Sequence, residues 1–168
     1  DAELVNQIDS AIAVLAGIDE TAWTVTTALE DNGQFWWTVQ TFDGYEYSSL
    51  VGPESFLVNS ENDIPANFSL LYPTESEEIT SQTPLLRWEP AFDPDPLDTV
   101  SYVLYLDTPT PGVESFNAGT DTSYQVATPL LDNTTYSWKV VASDVNGATK
   151  NNTGGYQSFR VNTENDLP

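Results

Sequence analysis

The stretch Asp93-Pro-Asp-Pro-Leu-Asp98 places three carboxylates within six residues. Carboxylates at that spacing suit a hard divalent cation such as Ca²⁺, which takes six to eight oxygen ligands. A tandem arrangement of domains would bring further oxygen donors to the same end: Glu61, Asn62 and Asp63 from a linker and Asp144 from a later loop. Glu30 and Asp31 lie in an earlier turn and are expected to face the same junction. The competing reading is that these are solvated turn residues, with Asp and Pro selected for backbone geometry. No complete EF-hand loop or nonapeptide calcium repeat occurs. Ca²⁺ is thus a candidate ligand, and no cofactor is required.

Composition excludes most other chemistry. The 168 residues include no Cys and no His. That removes a Ser-His-Asp triad, a Cys nucleophile, a disulfide and the usual zinc, haem and iron–sulfur ligand sets. With 26 acidic side chains, paired carboxylates of the glycosidase type arise by number alone and carry no information. The chain is expected not to be an enzyme. A net charge of −22 argues against nucleic acid, whose phosphates need Lys and Arg, and disfavours anionic lipid. No apolar run approaches 18 residues, so no membrane insertion is expected.

Two kinds of surface site remain. Trp36, Tyr45 and Tyr47 are candidates for stacking on a glycan or binding a protein. Trp36 neighbours Trp37, and adjacent strand residues point to opposite faces, so one of the two must leave the core. Asn67-Phe-Ser, Asn133-Thr-Thr and Asn151-Asn-Thr fit the N-glycan acceptor pattern. Ser10 and Thr99, each after an Asp and before an apolar residue, fit an O-glycosylation context.

The sequence repeats internally. Residues 29–65 align with 130–168: Leu29 with Leu130, Asp31 with Asp132, Asn32 with Asn133, Phe35 with Tyr136, Trp37 with Trp138, Val39 with Val140 and Asp43 with Asp144. After a two-residue insertion, Phe56 pairs with Phe159, Val58 with Val161 and Glu61-Asn62-Asp63 with Glu164-Asn165-Asp166. The offset is the size of one small β-sandwich. The second copy therefore occupies 66–168, after a linker over 63–65. The first, over 1–62, lacks a counterpart of residues 66–100, which predicts a domain without its first two strands. The absence of Met gives the same expectation of a piece from a longer chain. Residues 1–65 hold 12 acids and no base.

Period-2 alternation dominates and no segment keeps a helical period over three turns. Strands are expected over Leu85–Trp88, Ser101–Leu106, Ser123–Ala127, Thr135–Ser143 and Gln157–Asn162. In the first copy they are expected over Ala22–Thr26, Gln34–Thr41 and Glu54–Val58. Pro, Gly, Asn and Asp clusters separate them. The fold class is all-β, an immunoglobulin-like β-sandwich, with one incomplete and one complete domain.

These motifs resemble the fibronectin type III family. They are Thr-Pro-Leu-Leu-Arg-Trp over 83–88, Tyr102 to Leu106, then Leu130, Tyr136, Trp138, Val140 and Ala142. The resemblance implies a corner in which the Tyr136 hydroxyl bonds back to the backbone, and a buried Trp88. Phe35 in the first copy has no hydroxyl for that corner. Asp-Pro-Asp-Pro-Leu-Asp and the closing Asn-Asp-x-Pro look like tandem repeats of large bacterial cell-surface proteins. Asn62-Asp63-Ile64-Pro65 resembles the interdomain linker of cadherins, which binds calcium in that family.

The resulting expectation is a non-enzymatic extracellular structural module of a bacterial surface protein, adhesin or filament, working as a rigid spacer or assembly repeat. Its partners would be neighbouring repeats or identical chains, with strand donation to residues 1–65. The alternative is a carbohydrate- or protein-binding accessory module of a secreted multidomain protein.

Overall fold

The computed structural model describes residues 24–41, 43–108 and 112–164. The described residues form strands, turns and irregular segments, and none of them is helical. Two compact units divide between Glu61 and Asn62.

The first unit contains a two-stranded antiparallel sheet, β1 (Gln34–Val39) with β2 (Val51–Leu57). Phe35 stands opposite Phe56, Trp36 opposite Ser55 and Trp37 opposite Glu54. Of the strand expected over Ala22–Thr26, residues 22 and 23 lie outside the described residues, and 24–26 are not strand. The second strand begins at Val51, three residues before the expected start.

The second unit is a two-layer sandwich. One layer has the order β3-β5-β8: β3 (Leu70–Tyr72), β5 (Leu85–Trp88) and β8 (Ser123–Gln125). The other has the order β4-β11-β9-β6-β7: β4 (Glu77–Ile79), β11 (Gln157–Val161), β9 (Thr134–Ser143), β6 (Ser101–Thr108) and β7 (Gly112–Gly119). A short β10 (Thr149–Asn151) also pairs with β9. This strand order makes the fold an immunoglobulin-like β-sandwich of the fibronectin type III type.

Alternation builds the core. Tyr136, Trp138, Val140 and Ala142 of β9 are buried, as are Tyr102, Leu104 and Leu106 of β6 and Phe159 and Val161 of β11. Leu86 and Trp88 of β5 close over them from the facing layer, with Trp88 and Tyr102 rings 5.7 Å apart. The expected corner is present: the Leu131 N–H donates to the Tyr136 hydroxyl at 2.8 Å. A second tyrosine acts the same way, with the Ala91 N–H donating to the Tyr102 hydroxyl at 2.8 Å.

Four strands escape the sequence pattern. β3 and β4 are three residues each, interrupted at Pro73 where the chain passes from one layer to the other. β7 is an edge strand bounded by Gly112 and Gly119, with only Phe116 and Ala118 packed on the core. β10 is three polar or charged residues. Such segments lack the β-branched and aromatic alternation that marks a half-buried strand.

The β1–β2 pair of the first unit repeats the β9–β11 pair of the second in three dimensions as well as in sequence. Phe35↔Phe56 matches Tyr136↔Phe159, Trp37↔Glu54 matches Trp138↔Gln157, and Trp36↔Ser55 matches Ser137↔Ser158. The two ring pairs lie at 5.9 and 5.8 Å. Asn32 and Asn133 both adopt the left-handed backbone, at φ 56 and 54°. Ser60 N–H donates to Asp31 Oδ1 and Thr163 N–H to Asp132 Oδ1, each at 2.6 Å.

That last contact has a pH signature. The Thr163 N–H holds the Asp132 carboxyl below the usual aspartate range, as the Ser60 N–H does for Asp31. A carboxyl depressed on folding stabilises above its unfolded pKa, and that contribution vanishes as pH falls through the folded value. Asp132→Asn is therefore expected to lower the melting temperature at pH 7. The gap to the original protein should close in acid, below the aspartate range. A gap of constant size across pH would contradict the contact.

Candidate cation site

The loop joining β5 to β6 is anchored at its base by the Ala91–Tyr102 bond and by the Ala66 N–H donating to the Phe92 carbonyl at 2.7 Å. Beyond that anchor the Asp-Pro alternation folds the loop over itself. Asp95 N–H donates to Asp93 Oδ1 at 3.1 Å, and Asp98 N–H to the Asp95 carbonyl at 3.3 Å. Leu97 sits at φ 74° with its side chain in solvent. The outcome is that Asp93 and Asp95, 7% and 2% exposed, point inward.

Asp93, Asp95 and Asp98 each bring one carboxylate oxygen to within 4.8 Å of the others. At an effective dielectric of about 20, two full charges at that distance repel by roughly 3.5 kcal/mol, and the trio has every pair to contend with. A hydrogen bond to a charged group recovers about 1.5–3 kcal/mol. Asp93 Oδ1 receives the Asp95 N–H, and Asp95 Oδ2 receives the Asp63 N–H at 2.8 Å. Burial pushes the Asp93 carboxyl above its ordinary range. The Asp95 N–H opposes this, and the charges of Asp95, Asp144 and Asp98 reinforce it. The loop lines an open pocket of about 440 Å³ that ends at Val100.

Asp144 is buried beside this loop but is differently satisfied. Its Oδ1 accepts the N–H groups of Asn146 and Ala148 at 2.9 and 2.8 Å, and its Oδ2 accepts the Asn62 side-chain amide at 2.9 Å. Burial raises its pKa, but the Asn62 amide and the N–H groups of Ala148, Gly147 and Asn146 outweigh it, and the net shift is downward. Asn146 completes the cluster by donating its amide to Asn62 Oδ1.

Of the expected oxygen donors, Asp93, Asp95 and Asp98 come together as one group. Asp144 and Asn62 form a neighbouring polar pair. Asp63 reaches Asp95 through its backbone N–H. Glu61 is an exposed residue of the first unit, and Asp31 is engaged by Ser60. Asn146 and the Tyr102 hydroxyl were not expected. Asn146 follows Asp144 by two residues, the spacing of an Asx turn, which is the signal that could have found it.

The aromatic candidates are all exposed: Trp36 at 37%, Tyr47 at 56% and Tyr45 at 95%. Tyr45 stands on a turn fixed by Asp43, whose Oδ1 accepts the N–H groups of Tyr45 and Glu46 at 2.8 and 3.0 Å. Among the glycosylation candidates, Asn67, Asn133, Asn151 and Thr99 are exposed, and Ser10 lies outside the described residues.

No protein-family model matches this sequence, and no curated protein matches it. Among solved structures the chain is similar to the fibronectin type III domain of human fibronectin type III domain containing protein 3. Identity there is 22%, over 62% of this chain and 93% of that one, with a TM-score of 0.45. It is also similar to domains d3–d4 of the rat CD45 extracellular region. There identity is 14%, over 92% of this chain and 78% of that one, with a TM-score of 0.39. Scores and identities this low transfer no function, and the fold stands on the strand order described above. Among the described residues no helix is long and apolar enough to cross a membrane.

Proposed function

We propose that this chain is a non-enzymatic extracellular structural module, a spacer or assembly repeat of a bacterial surface protein, adhesin or filament. One observation carries the reading. The face carrying Phe35, Trp37 and Phe56 has the register of the face carrying Tyr136, Trp138 and Phe159, and Val39 continues it in sequence as Val140 does. In the second unit that face is core. In the first, Phe35 is buried at 4%, but Trp37 is 52%, Val39 45% and Phe56 40% exposed, while Trp138, Val140 and Phe159 are each 0%.

In the second unit the cover comes from Phe68, Leu86 and Trp88, in and before β3 and β5. The first unit calls for a segment of that same chemistry, extended and with alternate apolar side chains, given by another repeat. An exposed apolar sheet face of this kind marks an interaction surface, and a sheet of two strands also leaves edges to which a strand can add. The test is titration of the full chain with a synthetic peptide carrying the sequence of residues 66–99. A saturable blue shift of tryptophan emission that Phe56→Asp abolishes is the expected result. No shift at several hundred micromolar would refute strand donation.

The solvent exposure of Tyr45, Tyr47 and Trp36 favours a second reading, a carbohydrate- or protein-binding accessory module. A glycan array decides its carbohydrate form. Hits lost in Tyr45→Ala support it, and none at millimolar sensitivity removes it.

A further inference from the structure

We propose that Asp93, Asp95 and Asp98 form a Ca²⁺ site in the loop between β5 and β6. Their three oxygens within 4.8 Å of one another supply the cluster. The independent observation is what the protein leaves undone there. Asp93 is more than nine-tenths buried, yet its Oδ2 has no hydrogen-bond partner, and neither does the buried Oδ2 of Asp98. Buried polar atoms are mostly satisfied in folded proteins; the other orphans include the core indole N–H groups of Trp88 and Trp138, whereas these two are carboxylate oxygens of one cluster.

A cation is the partner that the charge of the site fits. The charges felt by Asp93 are those of Asp95, Asp144 and Asp98, all negative. Two of the four basic residues are engaged elsewhere: Lys139 lies over the rings of Tyr105 and Tyr156, and Arg160 donates to Asn133. A metal ion placed among the three carboxylates would take up both orphaned oxygens and remove the mutual repulsion. Ca²⁺ accepts carboxylates in one- or two-oxygen modes at irregular geometry, whereas Mg²⁺ demands a near-ideal octahedron and keeps its waters. A loop offering three carboxylates beside open solvent fits the former. Because Asp63 N–H is bonded to Asp95, an ion here would also fix the segment 62–65 to the loop.

The test is calorimetric titration of the chelator-treated full chain with CaCl₂ and separately with MgCl₂, together with thermal melts. One saturable Ca²⁺ site and a raised melting temperature are expected. The isosteric variants Asp93→Asn and Asp98→Asn should each weaken Ca²⁺ binding by about tenfold or more and erase the thermal shift, with Mg²⁺ similarly weaker in the original protein. Glu114→Gln, an exposed acid on β7, should bind as the original does. Absence of any Ca²⁺ response overturns the proposal, since a shared proton then satisfies the loop. A thermal shift surviving both Asn variants overturns it too, because the ion is then held elsewhere on the acidic surface. Equal affinity for Mg²⁺ overturns the choice of ion.

Discussion

Trp138→Ala should cost about 3–5 kcal/mol, whereas Trp37→Ala should cost less than about 1 kcal/mol. The two tryptophans hold the same register against β2 and β11, so local propensity cancels in the comparison. What differs is the cover and the second neighbour, since Trp138 also stands opposite Leu106 of β6. Trp138 is fully buried against the opposing layer, and its loss opens a cavity that packed neighbours cannot fill. Trp37 is half in solvent, and its truncation gives up only partial burial. For a domain of this size each kcal/mol moves the melting temperature by about 4–8 °C, so Trp138→Ala should be visible in a simple melt as a fall of more than ten degrees. Similar costs for the two substitutions would mean that Trp37 is covered after all.

Asn152→Ala should destabilise by roughly 2–3 kcal/mol, a large effect for a small polar side chain. Asn152 is buried where the last strand breaks between β10 and β11. Its backbone N–H donates to the Val140 carbonyl at 3.0 Å, and its side-chain Oδ1 accepts the Val140 N–H at 2.9 Å. The side-chain amide donates to the carbonyls of Thr153 and Gly155 at 3.0 and 2.7 Å. The side chain thus replaces the missing rung of the ladder. Alanine would strand the Val140 N–H in the core. Asn152→Asp keeps the acceptor but removes both donors and buries a charge, so it should cost more than Asn152→Ala. Urea denaturation reads both as a lower midpoint at unchanged slope. An Asn152→Ala midpoint within error of the original would contradict this role.

How far the sequence discloses these features depends on whether burial follows alternation. Tyr136-x-Trp138-x-Val140-x-Ala142 announces its buried face, and the repeat aligns it with Phe35-x-Trp37-x-Val39. The exposure of the latter does not follow from its own alternation, which is that of a buried face. Asn152 is invisible to the same logic. A polar residue beside a turn reads as solvent-facing, and only the broken ladder gives it a buried task. β7 is hidden because an edge strand between glycines needs only two apolar contacts. At the candidate site, the spacing of Asp93, Asp95 and Asp98 suggests convergence. Their burial could not be read, since carboxylates are usually exposed and it is the loop anchors at Tyr102 and Phe92 that turn them inward.

One strand-pair geometry occurs twice, buried in the second unit and exposed at Trp37, Val39 and Phe56 in the first. Amide hydrogen exchange resolved to single residues tests it most directly. Amides of β9 and β11 should exchange only with global unfolding, while those of β1 and β2 should exchange orders of magnitude faster and slow down when the segment 66–99 is added. Equal protection of the two strand pairs in the chain alone would contradict the account.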